Sequence, residues 1–131
     1  MDKPLLYVLD THVLIWYFIG SKRLTAEVKE RIDGTLREGG CLLVPTIVLA
    51  EALYVAEKGR VSFDFSAMYR LIRVDPGFEI VDFGIEIFDE MLQIETVKEI
   101  HDRLIVATAR FYGAGILTKD PVIRHSTEVK T

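Results

Sequence analysis

The stretch LLYVLDTHVLIWYFI, residues 5–19, decides the fold. Residues 5–9 are wholly apolar and too few for a buried helix. They predict a strand covered on both faces, the kind that parallel sheets contain. Residues 11–19 predict a helix that starts where the strand stops and closes at Gly20-Ser21. Between the two stands Asp10, the one charge in the run. With Thr11 and His12 it also interrupts the apolar stretch well short of the ~20 residues that a membrane span needs.

The same alternation continues down the chain. Residues 25–37 space Val28, Ile32 and Leu36 four apart among charges, which predicts a half-exposed helix. After Gly39-Gly40, residues 41–44 predict a second strand. Pro45 and Thr46 open a helix over 47–58 that ends at Gly59. A helix over 65–74, a strand over 79–81 behind Pro76-Gly77 and a helix over 85–95 follow. The last expected elements are a helix over 102–112, a strand over 115–118 and a tail over 122–131 with room for one more strand. Strands alternating with helices imply βαβ units and a mostly parallel α/β sheet. Neither a repeat nor a linker divides the 131 residues, so one domain over 1–131 is expected.

Half the residues are apolar, which places the chain among globular proteins rather than disordered tails. A single cysteine, Cys41, excludes disulfide scaffolds and cysteine-based zinc sites. The opening MDKPLLYVLD lacks the layout of a signal peptide, so a cytoplasmic location without membrane attachment is expected. Net charge is −4 and unevenly spread, with residues 75–102 carrying nine acids and one base, Lys98. A basic nucleic-acid face is therefore not legible in the charge count. Acids that hold a divalent cation, however, do not present their formal charge to a substrate.

Four acids stand where apolar sequence surrounds them. Asp10 interrupts the opening run, Glu51 is the one polar residue in 47–56, Asp102 heads DRLIVATARFY, and Asp120 follows GILT. A buried unpaired carboxylate costs several kcal/mol, roughly, unless a proton, a partner or a metal removes its charge. Neither Asp10 nor Glu51 has a Lys or Arg beside it in its own segment. In an open parallel sheet, ligands bind beyond the carboxyl ends of the strands, where strand order reverses. Should the strands bearing Asp10 and Asp120 be neighbours there, their carboxylates share one crevice. Hard oxygen donors suit Mg²⁺, and such a site points to metal-assisted phosphodiester chemistry.

Each acid also has a purely structural reading. Asp10 and Asp102 are good helix caps, and Asp120 before Pro121 is a good turn residue. Glu51, mid-helix among apolar residues, is the hardest to read that way. Thr11 and Thr118 adjoin the acids and can orient a carboxylate or simply cap the backbone. His12 is placed near the site, whereas His101 and His125 are expected in solvent. Of the consecutive aromatics Trp16, Tyr17 and Phe18, at least one must face away from the core, which makes an interface there plausible. Arg103, Lys119 and Arg124 lie next to motif acids and either grip phosphate or are ordinary solvated charges.

Taken together, the blocks LDTHVLIW, PTIVLAEAL, HDRLIVATA and GILTKDPVIR resemble the four motif blocks of the PIN domain. More narrowly, they resemble the VapC-type toxin ribonucleases of toxin–antitoxin pairs. The blocks span residues 9–124, each with its acid. The resemblance implies a three-layer α/β/α domain. It implies that Asp10, Glu51, Asp102 and Asp120 hold one or two Mg²⁺ or Mn²⁺, with Thr11 and Thr118 in support. RNA is the implied substrate, with 5′-phosphate and 3′-hydroxyl products. The implied partners are a second copy in a homodimer and a small cognate antitoxin. Such an antitoxin lays a helix in an apolar groove, for which Trp16 and Phe18 are candidate linings. Relatives often close with an aromatic after the last strand; this chain ends Glu128-Val129-Lys130-Thr131 instead.

Three other readings compete. A PIN-type RNA-processing nuclease without an antitoxin would carry the same site. A receiver-like signalling domain needs paired acids after the first strand, where only Asp10 stands, followed by Thr11. A catalytically inactive metal-binding module would have no reason to keep all four acids.

Overall fold

The computed structural model describes residues 5–119. Asp120, Arg124, His125 and the strand expected in the tail lie outside the described residues. The order of elements is β1 (Leu6–Leu9), α1 (Thr11–Ile19), α2 (Ala26–Arg37), β2 (Cys41–Pro45), α3 (Thr46–Lys58), α4 (Phe65–Val74), β3 (Phe78–Val81), α5 (Ile85–Leu92), α6 (Ile100–Tyr112) and β4 (Gly115–Leu117).

The strands form one parallel sheet in the order β3-β2-β1-β4. Leu42, Leu43 and Val44 are all buried, as are Val8 with Leu9 and Ile116 with Leu117. Successive strand residues point to opposite faces, so helices must cover both sides, giving the three α/β/α layers. On the helices, Val13, Leu14, Ile15, Ile32, Met68, Ile105 and Val106 complete the same core.

Strand order reverses at β1. The chain moves from β1 to β2 on one side, and β4 pairs on the other, with Leu9 opposite Leu117. The adjacency on which a shared crevice depends is therefore present. The backbone N–H of Asp10 also donates to Leu117 O at 3.2 Å, extending the β1–β4 ladder to the acid itself.

Helix boundaries follow local chemistry. Thr25 and Asp64 cap α2 and α4 with their side chains, and Gly20, Gly59 and Gly113 end α1, α3 and α6 in the left-handed conformation. Two boundaries differ from the sequence expectation by two residues or more, and the others by at most one. Helix α5 stops at Leu92 rather than residue 95. Helix α6 starts at Ile100 rather than Asp102, because Glu99 takes the cap position and its side chain accepts from the Asp102 N–H. Among the described residues, no helix is long and apolar enough to cross a membrane.

Candidate active site

Asp10, Glu51 and Asp102 line one cavity of about 580 Å³ beyond the carboxyl end of β1. Each arrives from a different element. Asp10 is the junction of β1 and α1, Glu51 lies on α3, and Asp102 lies in the first turn of α6. Asp10 does cap α1, with Oδ1 accepting from the Thr11 N–H at 2.5 Å. Capping occupies only one of its oxygens. The other, Oδ2, accepts from the Thr118 hydroxyl at 2.6 Å, across the β1–β4 boundary. Asp102 is not a cap at all; it stands inside the helix, half-buried at the cavity wall.

Glu51 is held by the second threonine. The Thr11 hydroxyl, itself buried, donates to Glu51 Oε1 at 2.6 Å and so ties α1 to α3. The other oxygen, Oε2, lies 3.4 Å from Nε2 of His101, whose Nδ1 lies 3.2 Å from Glu99. His101 is exposed, as the sequence suggested, but it is not without partners. It bridges two carboxylates at the rim, although about half its side chain meets solvent. The signal was present in its position next to Asp102, but one histidine without metal-ligand spacing carries little weight. Glu99 and Tyr54 also line the cavity and were not singled out from sequence.

His12 lies at the cavity wall, its ring 5.6 Å from that of Trp16. Burial holds its pKa below the usual imidazole value, Lys119 adds to this, and Asp10 and Glu51 pull the other way. Lys119 lines the cavity and places its Nζ 5.7 Å from the Trp16 ring centroid, a cation–π contact. Arg103 turns away, its Nε donating to Met91 O on α5 at 3.0 Å. Phe18, and not Trp16, lines the groove beside α4. The two sit about 200° apart around α1, so when Trp16 faces Lys119, Phe18 faces the α4 side with Leu14, Leu71 and Phe78.

The donors suit a hard divalent cation in kind. They are carboxylate oxygens, and among the described residues no Lys or Arg forms an ion pair with Asp10 or Glu51. Asp10, Glu51, Glu99 and Asp102 around one cavity repel a phosphodiester unless positive charge is supplied. Among the described residues, no three His, Cys, Asp or Glu side chains are yet drawn together as a ligand cluster.

The PIN domain family model matches residues 7–128. The chain belongs to the PIN domain family. No curated protein matches it. Among solved structures, it is similar to VapBC2 from Rickettsia felis bound to a promoter DNA fragment, with TM-score 0.73, 16% identity and 95% of each chain covered. It is also similar to a toxin–antitoxin complex from Klebsiella pneumoniae, with TM-score 0.64, 19% identity, and 95% of this chain and 96% of that chain covered. These likenesses establish the fold of this PIN domain. The matched span includes all four sequence blocks and their acids.

Proposed function

We propose that this PIN domain is a metal-dependent endoribonuclease acting as the toxin of a toxin–antitoxin pair. The observation that carries the reading is the convergence of Asp10, Glu51 and Asp102 on one cavity, with two threonines orienting the first two acids. Asp10 and Asp102, with Asp120, are the residues that would hold one or two Mg²⁺ or Mn²⁺. A divalent cation bound there lowers the pKa of a coordinated water and offsets charge on the scissile phosphate.

The chain's own residues supply orientation and proton handling. Thr118 and the Thr11 amide fix the plane of the Asp10 carboxylate, so that little rearrangement is needed when charge develops. Glu51 takes the proton of the attacking water at Oε2, its Oε1 being held by Thr11. His101 lies beside Oε2, within reach of the proton taken up there. Lys119 at the cavity wall grips a phosphate of the RNA.

The toxin assignment draws support from the two similar structures, both of which are complexes with antitoxins. The groove of Leu14, Phe18, Met68, Leu71 and Phe78 offers an antitoxin helix an apolar seat, with Lys29 at its edge. Ile85, Phe88 and Leu92, exposed along α5, offer a second copy of the chain an apolar face for a homodimer. Titration of Mn²⁺ into the purified protein tests the metal assignment. Saturable binding to the wild type that is lost in Asp10→Asn supports it, and equal binding by both proteins rejects it. Cleaved RNA should then carry 5′-phosphate and 3′-hydroxyl ends.

A further inference from the structure

The acidic cavity continues into a second pocket of about 260 Å³. His12, Tyr54 and Val55 form their shared wall, while Lys58 and Arg60 line only the second pocket. The sign of the charge therefore reverses across that wall, from carboxylates to bases. The local backbone brings this about: Gly59 at φ 73 ends α3 and turns the chain, so that Arg60 comes back beside the helix it has just left.

Tyr54 is the hinge of the arrangement. It is 60% exposed, on the wall between the pockets. The Lys58 Nζ lies 5.3 Å from its ring centroid. Among the described residues, no carboxylate forms an ion pair with Lys58 or Arg60. An exposed aromatic ring flanked by two bases that no carboxylate neutralises is the combination that binds single-stranded nucleic acid, the ring stacking a base and the cations holding the backbone.

We propose that Tyr54, Lys58 and Arg60 form a nucleotide subsite beside the acids, with a base stacked on Tyr54 and its phosphate held by Lys58 and Arg60. The proposal rests on the RNA-cleaving reading and adds a requirement to it. The nucleotide next to the scissile bond must be unstacked from its neighbours to reach Tyr54, so the substrate is single-stranded at that point. A base-paired helix does not present a free base face and is not accepted.

The test is binding of a labelled single-stranded oligoribonucleotide of mixed sequence, by fluorescence anisotropy over a range of salt in Ca²⁺, a cation that suits oxygen donors and offsets the charge of the acids. Tyr54→Leu is expected to weaken binding about 5- to 150-fold, the usual effect of losing one stacked base, while Tyr54→Phe retains it. Lys58→Gln with Arg60→Gln is expected to reduce the slope of log affinity against log salt by about 1.4, for two phosphate contacts on a single strand. All three residues are exposed, and circular dichroism verifies that each variant folds. An unchanged slope and affinity in these variants overturns the subsite, as does failure of the wild type to bind the strand. A parallel cleavage assay in Mg²⁺ separates the two claims. Intact binding behaviour without cleavage refutes the nuclease and leaves the subsite, and cleavage with unaltered binding in the variants does the reverse.

Discussion

Replacing Thr118 by Val isolates the contact that sets the Asp10 carboxylate. The two side chains have nearly the same shape, so the change removes a hydroxyl and little else. Thr118 is fully buried, and its hydroxyl donates to Asp10 Oδ2 at 2.6 Å. Hydrogen bonds to charged groups contribute about 1.5–3 kcal/mol. Asp10 is only half-buried, so water can partly replace the lost donor, and a cost of about 1–2 kcal/mol is expected. At roughly 2 cal/mol/K of unfolding entropy per residue, a chain of this length loses about 4–7 °C in Tm. Urea denaturation should show a lower midpoint with an unchanged slope, because no additional surface is exposed. RNA cleavage per folded molecule should fall about 10-fold or more through loss of carboxylate orientation. Thr118→Ser, which keeps the hydroxyl, should recover most of the cleavage. A Thr118→Val protein as stable and as active as the wild type would refute the reasoning. One that is destabilised but fully active would confine Thr118 to a structural role.

Thr11→Val should uncouple Glu51 from α1, lowering kcat more than it raises KM, and steady-state kinetics on one RNA would reveal any other pattern. Tyr17 donates to Asp33 at 2.6 Å, and burial followed by this contact pushes its phenol up to about 12. A raised pKa stabilises the fold fully below the unfolded value of ~10, and that contribution is lost as pH rises from there through about 12. Alkaline denaturation curves of Tyr17→Phe should therefore be flatter over that window than those of the wild type; parallel curves would contradict the assignment. Gly40→Ala should cost about 1–3 kcal/mol, because a Cβ there would collide with the Leu5 side chain and its backbone carbonyl oxygen where β1 meets β2. Thermal unfolding measures that loss, and an unaltered Tm would show that the strands part easily.

Much of this architecture was legible because its signals are local. The apolar run before Asp10 had to be a doubly covered strand, and Gly20, Gly59 and Gly113 marked the helix ends where the left-handed conformation occurs. The adjacency of the strands bearing Asp10 and Thr118 could be stated only as a condition, since pairing order is not written in either strand. What was misread depended on side-chain competition. Asp102 looked like a cap because Asp is favoured there, yet Glu99, three residues earlier, bonds its N–H and moves the helix start. His101 is exposed, as expected, but its partners Glu51 and Glu99 were not legible, because they come from α3 and from the residue before α6 and meet only at the cavity. The division of Trp16 from Phe18 was available from helical periodicity alone, but the sequence does not say which side of α1 meets Lys119 and which meets α4.

The central claim is that the acids at the end of β1 hydrolyse RNA with a divalent cation. Its most direct test is cleavage of a mixed tRNA and rRNA pool by the partner-free protein, in Mg²⁺ and in EDTA, beside a folded Asp10→Asn variant. The account predicts discrete cleavage in Mg²⁺ that both EDTA and the substitution abolish. Cleavage that persists in Asp10→Asn, or that proceeds equally well in EDTA, would contradict it.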